Sequence, residues 1–249
     1  VSGAVLTTAN VKHEANSFSE KTETTGWSKP DISRFEGRTF KGYHRSDGQV
    51  GTANYWVVIP LVFCENRNVN IMKQAFLKAL GYAQPDLYLD QVSTLLDAYQ
   101  SGADIDSLKT FTFQQKKSDY RHNRVFKNVD GIKFLTHESG CGENREDSEN
   151  LCNLLAGYCV NPNVAGITVL SLGCQHSQVS ILQEAIHKIS PNFEKPLYIL
   201  EQQQDLGSGE SQMLAEAIRQ TFVGMIQINE IERKPAPLSK LRVGVKCGG

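Results

Sequence analysis

Four of the six cysteines in this chain come shortly after apolar runs that have the composition of buried strands. They are Cys64, Cys141, Cys174 and Cys247. In the stretch FLTHESGCG, Cys141 stands between two glycines, where a hydrophobic core has no use for it. The spacing matches no short metal signature such as Cys-x-x-Cys, so it leaves the identity of a metal open. If the four thiols converge, we expect them to serve as metal ligands.

The other two cysteines favour an ordinary structural role. Cys152 and Cys159 lie on one helical stripe with Leu155 in LCNLLAGYC. Free cysteine is among the most often buried residue types and packs like a small hydrophobe. The amphipathic spacing therefore predicts core packing for both.

Histidines and a glutamate accompany the strand-end cysteines. His137 precedes Cys141 in THESGCG, His176 follows Cys174, and Glu201 ends the run PLYILE. Imidazole can act as a general base or a metal ligand, although a lone loop histidine is more often only hydrogen-bonded. We predict His137, His176 and Glu201 as catalytic candidates, whereas the placement of the other histidines gives them little weight.

A turn-rich stretch, GYHRSDGQVGTANYW, leads into the first long apolar run. Its arginine could hold a carboxylate through two hydrogen bonds, and its glycine and threonine groups could face an anion. The alternative is a loop that only leads into a strand. The predicted substrate-binding residues are Arg45, Asp47, Thr52, Asn54 and, beside His176, Gln178.

Apolar runs alternate with helical patterns along most of the chain, which predicts an α/β fold. The predicted strands are 54–63, 131–136, 165–172, 196–200 and 241–245, and the helices are about 69–80, 145–159, 176–190 and 209–228. This pattern is typical of a doubly wound, mainly parallel sheet with flavodoxin-like or Rossmann-like layers. Ligands of such sheets bind beyond the carboxyl ends of the strands, where the candidate residues above are expected to meet.

Two segments depart from the alternation. Residues 1–37 are polar and rich in Thr and Ser, so we interpret them as a linker and the tail of a preceding domain. Residues 38–249 form the predicted α/β domain, and about 81–130 is a helical insertion with a charged loop.

Composition excludes some classes of function. The 249 residues carry 26 basic and 27 acidic side chains, for a net charge of −1, so the basic footprint of a nucleic-acid binder is absent. No apolar run is long enough to span a membrane, and the first residues lack the pattern of a signal peptide. We expect a cytoplasmic protein with a small-molecule ligand, and self-association into a homo-oligomer stays open.

Four motifs in order resemble the altronate dehydratase and galactarate dehydratase family of sugar-acid hydro-lyases. They are GYHRSDGQVGTANYW, LTHESGCG, SLGCQHSQ and VKCGG, spanning Gly42 to Gly249, and VIPLVFCENRN is closest to the altronate branch. The resemblance implies loss of water from a hexonic or hexaric acid to give a 2-keto-3-deoxy acid. It also implies that this chain is the central domain of a longer enzyme, inactive alone.

The resemblance further implies ferrous iron as the cofactor. Thiolates suit iron as a single ion or as an iron–sulfur cluster, and the sequence does not separate the two. Under this hypothesis His137 is the base or a metal ligand, Arg45 clamps the substrate carboxylate, and some of the strand-end cysteines hold iron. A non-catalytic ligand-binding domain and an iron–sulfur redox protein remain as alternatives.

Overall fold

The computed structural model describes residues 26, 28–83, 87–113, 124–203, 209–246 and 248. It divides into two compact units, Val1–Glu36 and Gly37–Gly249. In the first unit, the described residues include a 3-10 turn, Ser33–Phe35. The elements named below belong to the second unit.

The second unit contains strands and helices in near alternation. The strands are β1 (Thr39–His44), β2 (Val50–Gly51), β3 (Tyr55–Pro60), β4 (Gly131–Phe134), β5 (Val164–Ser171), β6 (Leu197–Glu201) and β7 (Lys234–Pro237). The helices are α1 (Asn66–Ala79), α2 (Leu87–Gln100), α3 (Ile105–Lys109), α4 (Arg145–Val160), α5 (Val179–Ile189) and α6 (Gly209–Asn229). Among the described residues, no helix combines the length and the apolar character needed to cross a membrane.

A four-stranded parallel sheet in the order β4-β3-β5-β6 is the centre of the fold. The two inner strands, β3 and β5, are buried on both faces, which explains their nearly continuous apolar sequences. Numbered along the chain, the order is 2-1-3-4, as in the first four strands of flavodoxin-like sheets. The predicted doubly wound α/β class is confirmed.

Helices cover both faces of this sheet. Helices α1 and α6 pack on one face around Trp56, and α4 and α5 pack on the other around Ile59 and Ile167. Glycine at 166 and 224 makes room for the indole, because a Cβ at either position would collide with it. The indole Nε1–H of Trp56 donates to the buried Thr168 hydroxyl at 3.0 Å.

A small antiparallel sheet, β2-β1-β7, was not predicted from the sequence. Strand β7 has the sequence KPAP, and its partner β1 lies almost two hundred positions earlier in the chain. Proline favours edge strands and gives no apolar run, so the local pattern carries no strand signal there.

The predicted strand at 241–245 is wrong. The segment is irregular and exposed, with Val243 at 76% and Val245 at 93% of full exposure. The path from β4 through β5 to β6 uses α4 and α5 on one face, whereas α6 lies on the face of α1. A parallel strand added beside β6 would therefore need a left-handed crossover, which is very rare. After α6 the chain instead forms β7, which pairs with β1.

Helices α2 and α3 lie within the predicted insertion. Its residues 84–86 and its charged loop, at 114–123, are outside the described residues.

Candidate functional site

The loops that follow β3, β4 and β5 interlock at the carboxyl edge of the parallel sheet. The fully buried Ser177 hydroxyl donates to the Leu61 carbonyl oxygen at 2.6 Å and lies 3.2 Å from the Gly140 carbonyl oxygen. The His176 amide also donates to Gly140 O, at 3.0 Å. These bonds give three loops a single fixed arrangement.

The three loops pack tightly against one another at Gly140. Its φ of +106° belongs to the region that glycine alone adopts with ease. A Cβ there would lie 2.7 Å from Leu61 O and 2.8 Å from Ser177 Oγ. The Gly140 amide also donates to the Glu143 carboxylate at 2.6 Å. Because of the positive φ and the short contacts, the packing requires glycine at this position, one residue before Cys141.

The His137 ring is held at both nitrogens. The Ser139 amide donates to Nδ1 at 3.2 Å, so Nε2 carries the proton and donates to the Pro60 carbonyl oxygen at 2.8 Å. The Asn66 side chain fixes the His137 backbone by donating to its carbonyl oxygen at 2.8 Å. A role as base or ligand would require His137 to release one of these bonds, so that role stays a prediction.

Unlike His137, His176 has one ring nitrogen with no hydrogen-bond partner among the described residues. Its exposed imidazole donates from Nδ1 to the Glu143 carbonyl oxygen at 2.8 Å, because a carbonyl can only accept. The tautomer is thereby set, and Nε2 keeps its lone pair. No described residue forms a hydrogen bond to Nε2. This nitrogen is suited to accept a proton from a ligand.

Glu201 ends β6 beside a chain of polar contacts from the neighbouring strand. The Ser171 hydroxyl donates to Glu201 Oε2 at 3.1 Å, and the buried Gln175 amide donates to Ser171 Oγ at 2.6 Å. Gln178 donates to the Gln175 carbonyl oxygen. Glu201 and Gln178 thus lie at the carboxyl edge, as predicted from the order of strands, while their chemical roles stay predictions.

Cys64, Cys141 and Cys174 lie on the three loops, and all are exposed free thiols. Within the described ranges, no three His, Cys, Asp or Glu side chains lie together as a metal site requires. Cys247 is outside those ranges. The described side chains alone therefore do not fit an iron site.

Cys152 and Cys159 pack in the core of the α4 and α5 face, as their spacing predicts. Burial raises the pKa of Cys152 to about 11 and that of Cys159 to about 12. Both thiols therefore stay protonated near neutral pH.

Arg45 is far from these loops, at the amino edge of the sheet. Its guanidinium donates to the Pro162 carbonyl oxygen at 2.8 Å, to Ala53 O at 3.2 Å and to Asn54 Oδ1 at 3.1 Å. Burial lowers its pKa to about 10. The six-residue strand β3, roughly 20 Å long, separates it from the cysteine loops. As a substrate clamp it therefore does not share a pocket with His137 or His176.

The other residues predicted from the same stretch also hold the amino edge together. Asn54 is fully buried and donates to the Asn128 and Ile228 carbonyl oxygens at 2.9 and 3.0 Å. The Thr52 amide and hydroxyl both donate to Asn163 Oδ1. Asp47 closes its turn by accepting from Gln49. Burial acts to raise the pKa of Asp47, but the hydrogen bonds from Gln49 and the charge of Lys195 together lower it. The structure thus divides the predicted site residues between two opposite edges.

Sequence reasoning missed Glu65, a buried acid at the carboxyl edge. It is 1% exposed and follows Cys64, and burial raises its pKa although a hydrogen bond from Asn68, at 2.9 Å, works against the shift. The Asn68 Oδ1 atom is buried without a partner in the described part of the chain. Only the position of Glu65, beside a strand-end cysteine, could have drawn attention to it.

Residues 42–229 match the family model described as D-galactarate dehydratase/Altronate hydrolase, second domain. The match covers most of the chain, which therefore belongs to this family of sugar-acid hydro-lyases. Altronate dehydratase of Bacillus subtilis (strain 168) is 25% identical over 218 residues, 86% of this chain and 33% of the relative. Altronate dehydratase of Escherichia coli (strain K12) is 25% identical over 207 residues, 83% of this chain and 32% of the relative. The chain spans about a third of the length of these curated relatives.

Proposed function

We propose that this α/β domain serves the dehydration of a sugar acid such as altronate to a 2-keto-3-deoxy acid, in a cytoplasmic enzyme. The structural support is His176, an exposed residue at the carboxyl edge of the sheet, whose Nδ1 is fixed by Glu143 O while Nε2 has no hydrogen-bond partner among the described residues. Membership of the hydro-lyase family supports the class of reaction.

The reaction needs a base first. In a 2,3-dihydroxy acid, a base takes the proton from C2, the C2–C3 double bond forms, and the C3–O bond breaks as hydroxide leaves. The hydroxide gains a proton and departs as water. The remaining enol then moves its hydroxyl proton to solvent and gains one at C3, which gives the 2-keto-3-deoxy product.

Within this proposal His176 Nε2 is the atom that takes the C2 proton, because His137 has both ring nitrogens committed to the backbone. Glu201 is the candidate acid that protonates the leaving hydroxide, since its carboxyl lies at the same edge. Arg67, on the first turn of α1, replaces Arg45 as the candidate partner of the substrate carboxylate. Its guanidinium now pairs with Glu210 at 2.7 Å, and substrate would compete for it.

Iron as a cofactor stays a prediction from the sequence, with Cys64, Cys141, Cys174 and Cys247 as its candidate ligands, and the described side chains alone do not form its site. Iron and acid-labile sulfide should be measured after purification without oxygen, for wild type and for Cys141→Ser and Cys174→Ser. Loss of iron in both variants would support a shared site. Equal iron in all three proteins would remove these thiols from it.

Removal of the C2 proton and formation of the product can be followed in one experiment. The longest expressed form of the protein should be incubated with altronate and with galactarate in D2O and followed by NMR. We expect loss of the C2 proton signal together with a 2-keto-3-deoxy product. A folded protein that neither exchanges the C2 proton nor forms this product with any sugar acid tried would contradict the proposal.

A non-catalytic ligand-binding domain is the second candidate. The observation that favours it is the lack of a complete metal-ligand set among the described residues. Binding of a sugar acid without exchange of its C2 proton would point to this function.

A further inference from the structure

A cavity of about 390 Å³ lies at the amino edge of the parallel sheet. Its walls are residues 47–50 and Thr52 before β3, residues 162–163 before β5, and residues 239–242 after β7. The loops with the strand-end cysteines lie at the other edge, so the cavity shares no residue with the proposed catalytic groups. Its volume is within the range of small-ligand sites.

Hydrogen bonds between distant segments hold these walls. Asn163 Oδ1 accepts from the Thr52 amide at 2.7 Å and from the Ala53 amide at 3.1 Å. Lys240 Nζ donates to the Gly48 carbonyl oxygen at 3.1 Å. Gly51 lies so close to Pro162 that no side chain would fit between them. The cavity is therefore formed before any ligand enters.

The side-chain oxygens of Asp47 and Asn163 in these walls are already engaged. Asp47 Oδ1 accepts from the Gln49 amide at 3.0 Å, and Oδ2 accepts from the Gln49 side chain at 2.7 Å and from the Ser190 hydroxyl at 3.4 Å. Asn163 Oδ1 is shared by three donors.

Donors in the same walls remain available. Arg242 forms no hydrogen bond or ion pair with any described residue, and the same holds for the Asn163 Nδ2 group. Lys240 uses one of its three N–H groups. Two cations, Lys240 and Arg242, against one carboxylate that is already hydrogen-bonded, Asp47, favour a ligand that is negatively charged and rich in acceptors.

Positive charge behind the walls strengthens this preference. The Arg45 guanidinium donates to the carbonyl oxygen of Pro162, a wall residue. Lys195 donates to the carbonyl oxygens of Cys159 and Asn161, which shortly precede Pro162 in the sequence. Burial lowers the pKa of Lys195 to about 7, and the charge of Arg45 adds to the shift while Asp47 opposes it. An anion in the cavity would offset this crowding of cations.

We propose that the cavity binds a small polyhydroxylated anion, a sugar acid or a sugar phosphate. Lys240 and Arg242 hold its charge, while Asn163 and Thr52 contact its hydroxyl groups. The site goes beyond the proposed dehydration and does not depend on it, because the residues of the two sites lie at opposite edges of the sheet.

The test uses isothermal titration calorimetry with D-gluconate, D-glucose 6-phosphate and the uncharged polyol sorbitol. The double variant Lys240→Gln/Arg242→Gln removes the charges of the site. Lys73→Gln/Lys78→Gln removes the same number of charges from the exposed face of α1 and is the matched control. Circular dichroism establishes that both variants are folded.

At least one of the two anions should bind about tenfold more tightly than sorbitol, and the site variant should lose about tenfold in affinity while the control changes less than about twofold. The anion that binds decides between carboxylate and phosphate. The proposal is overturned if sorbitol binds as well as both anions, if neither anion binds, or if the two variants behave alike.

Discussion

The Ser177 hydroxyl donates to the Leu61 carbonyl oxygen at 2.6 Å and so ties the loop after β5 to the end of β3. Both partners are fully buried. Because water cannot replace the lost donor, we expect Ser177→Ala to lower the free energy of unfolding by about 1–3 kcal/mol. Ser180→Ala, on the exposed first turn of α5, is the control and should cost much less. Urea unfolding of both variants checks this, and equal midpoints would contradict it.

Gly140 allows a second prediction, because Gly142 is a control of the same type in the same loop. Both have positive φ, +106° and +79°, but only Gly140 has atoms within 3 Å of an added Cβ. Gly140→Ala should therefore destabilise the protein by at least about 2 kcal/mol more than Gly142→Ala, through overpacking in addition to backbone strain. Thermal unfolding of the pair measures the difference. A Gly142→Ala variant as unstable as Gly140→Ala would show that packing adds nothing.

Lys195 should make stability depend on pH. Its pKa is about 7 in the folded chain, against an ordinary value of 10.5, through burial first and then the charge of Arg45, while Asp47 and Cys159 oppose the shift. Between these values the unfolded chain binds more protons, so the contribution of Lys195 to the free energy of unfolding rises with pH.

The measurement is the stability of wild type minus that of Lys195→Met, taken at several pH values from 7 to 10. We expect this difference to rise by up to about 1.4 kcal/mol per pH unit. Lys188→Met, at an exposed position on α5, is the control. A flat or falling difference for Lys195→Met would contradict the lowered pKa.

The sequence predicted the parallel sheet well because its signals are local. The run YWVVIP gives β3 and VAGITVLS gives β5, since strands buried on both faces need continuous apolar residues. The antiparallel sheet depends on pairing between β1 and the proline-containing β7, which no short window can show. The segment 241–245 has a strand-like pattern, but the position of α6 gives it no right-handed path to β6.

For the candidate site, the sequence predicted where several residues lie, while their chemical roles stay predictions. The order of strands predicted that His137, His176 and four cysteines lie at one edge. The two histidines and three of the cysteines lie there, and Cys247 is outside the described residues. Which histidine has a free nitrogen depends on backbone carbonyls at Pro60 and Glu143, and the sequence does not encode such contacts locally. Arg45 looked like an anion clamp, yet its donors are used to join loops at the amino edge.

The most direct measurement of the proposed chemistry is turnover of altronate by His176→Asn in the longest expressed form of the protein. His187→Asn, an exposed histidine on α5, is the matched control. If His176 takes the C2 proton, kcat should fall by at least about a hundredfold in His176→Asn and stay near wild type in the control. A kcat for His176→Asn within about threefold of wild type would contradict its role as the base.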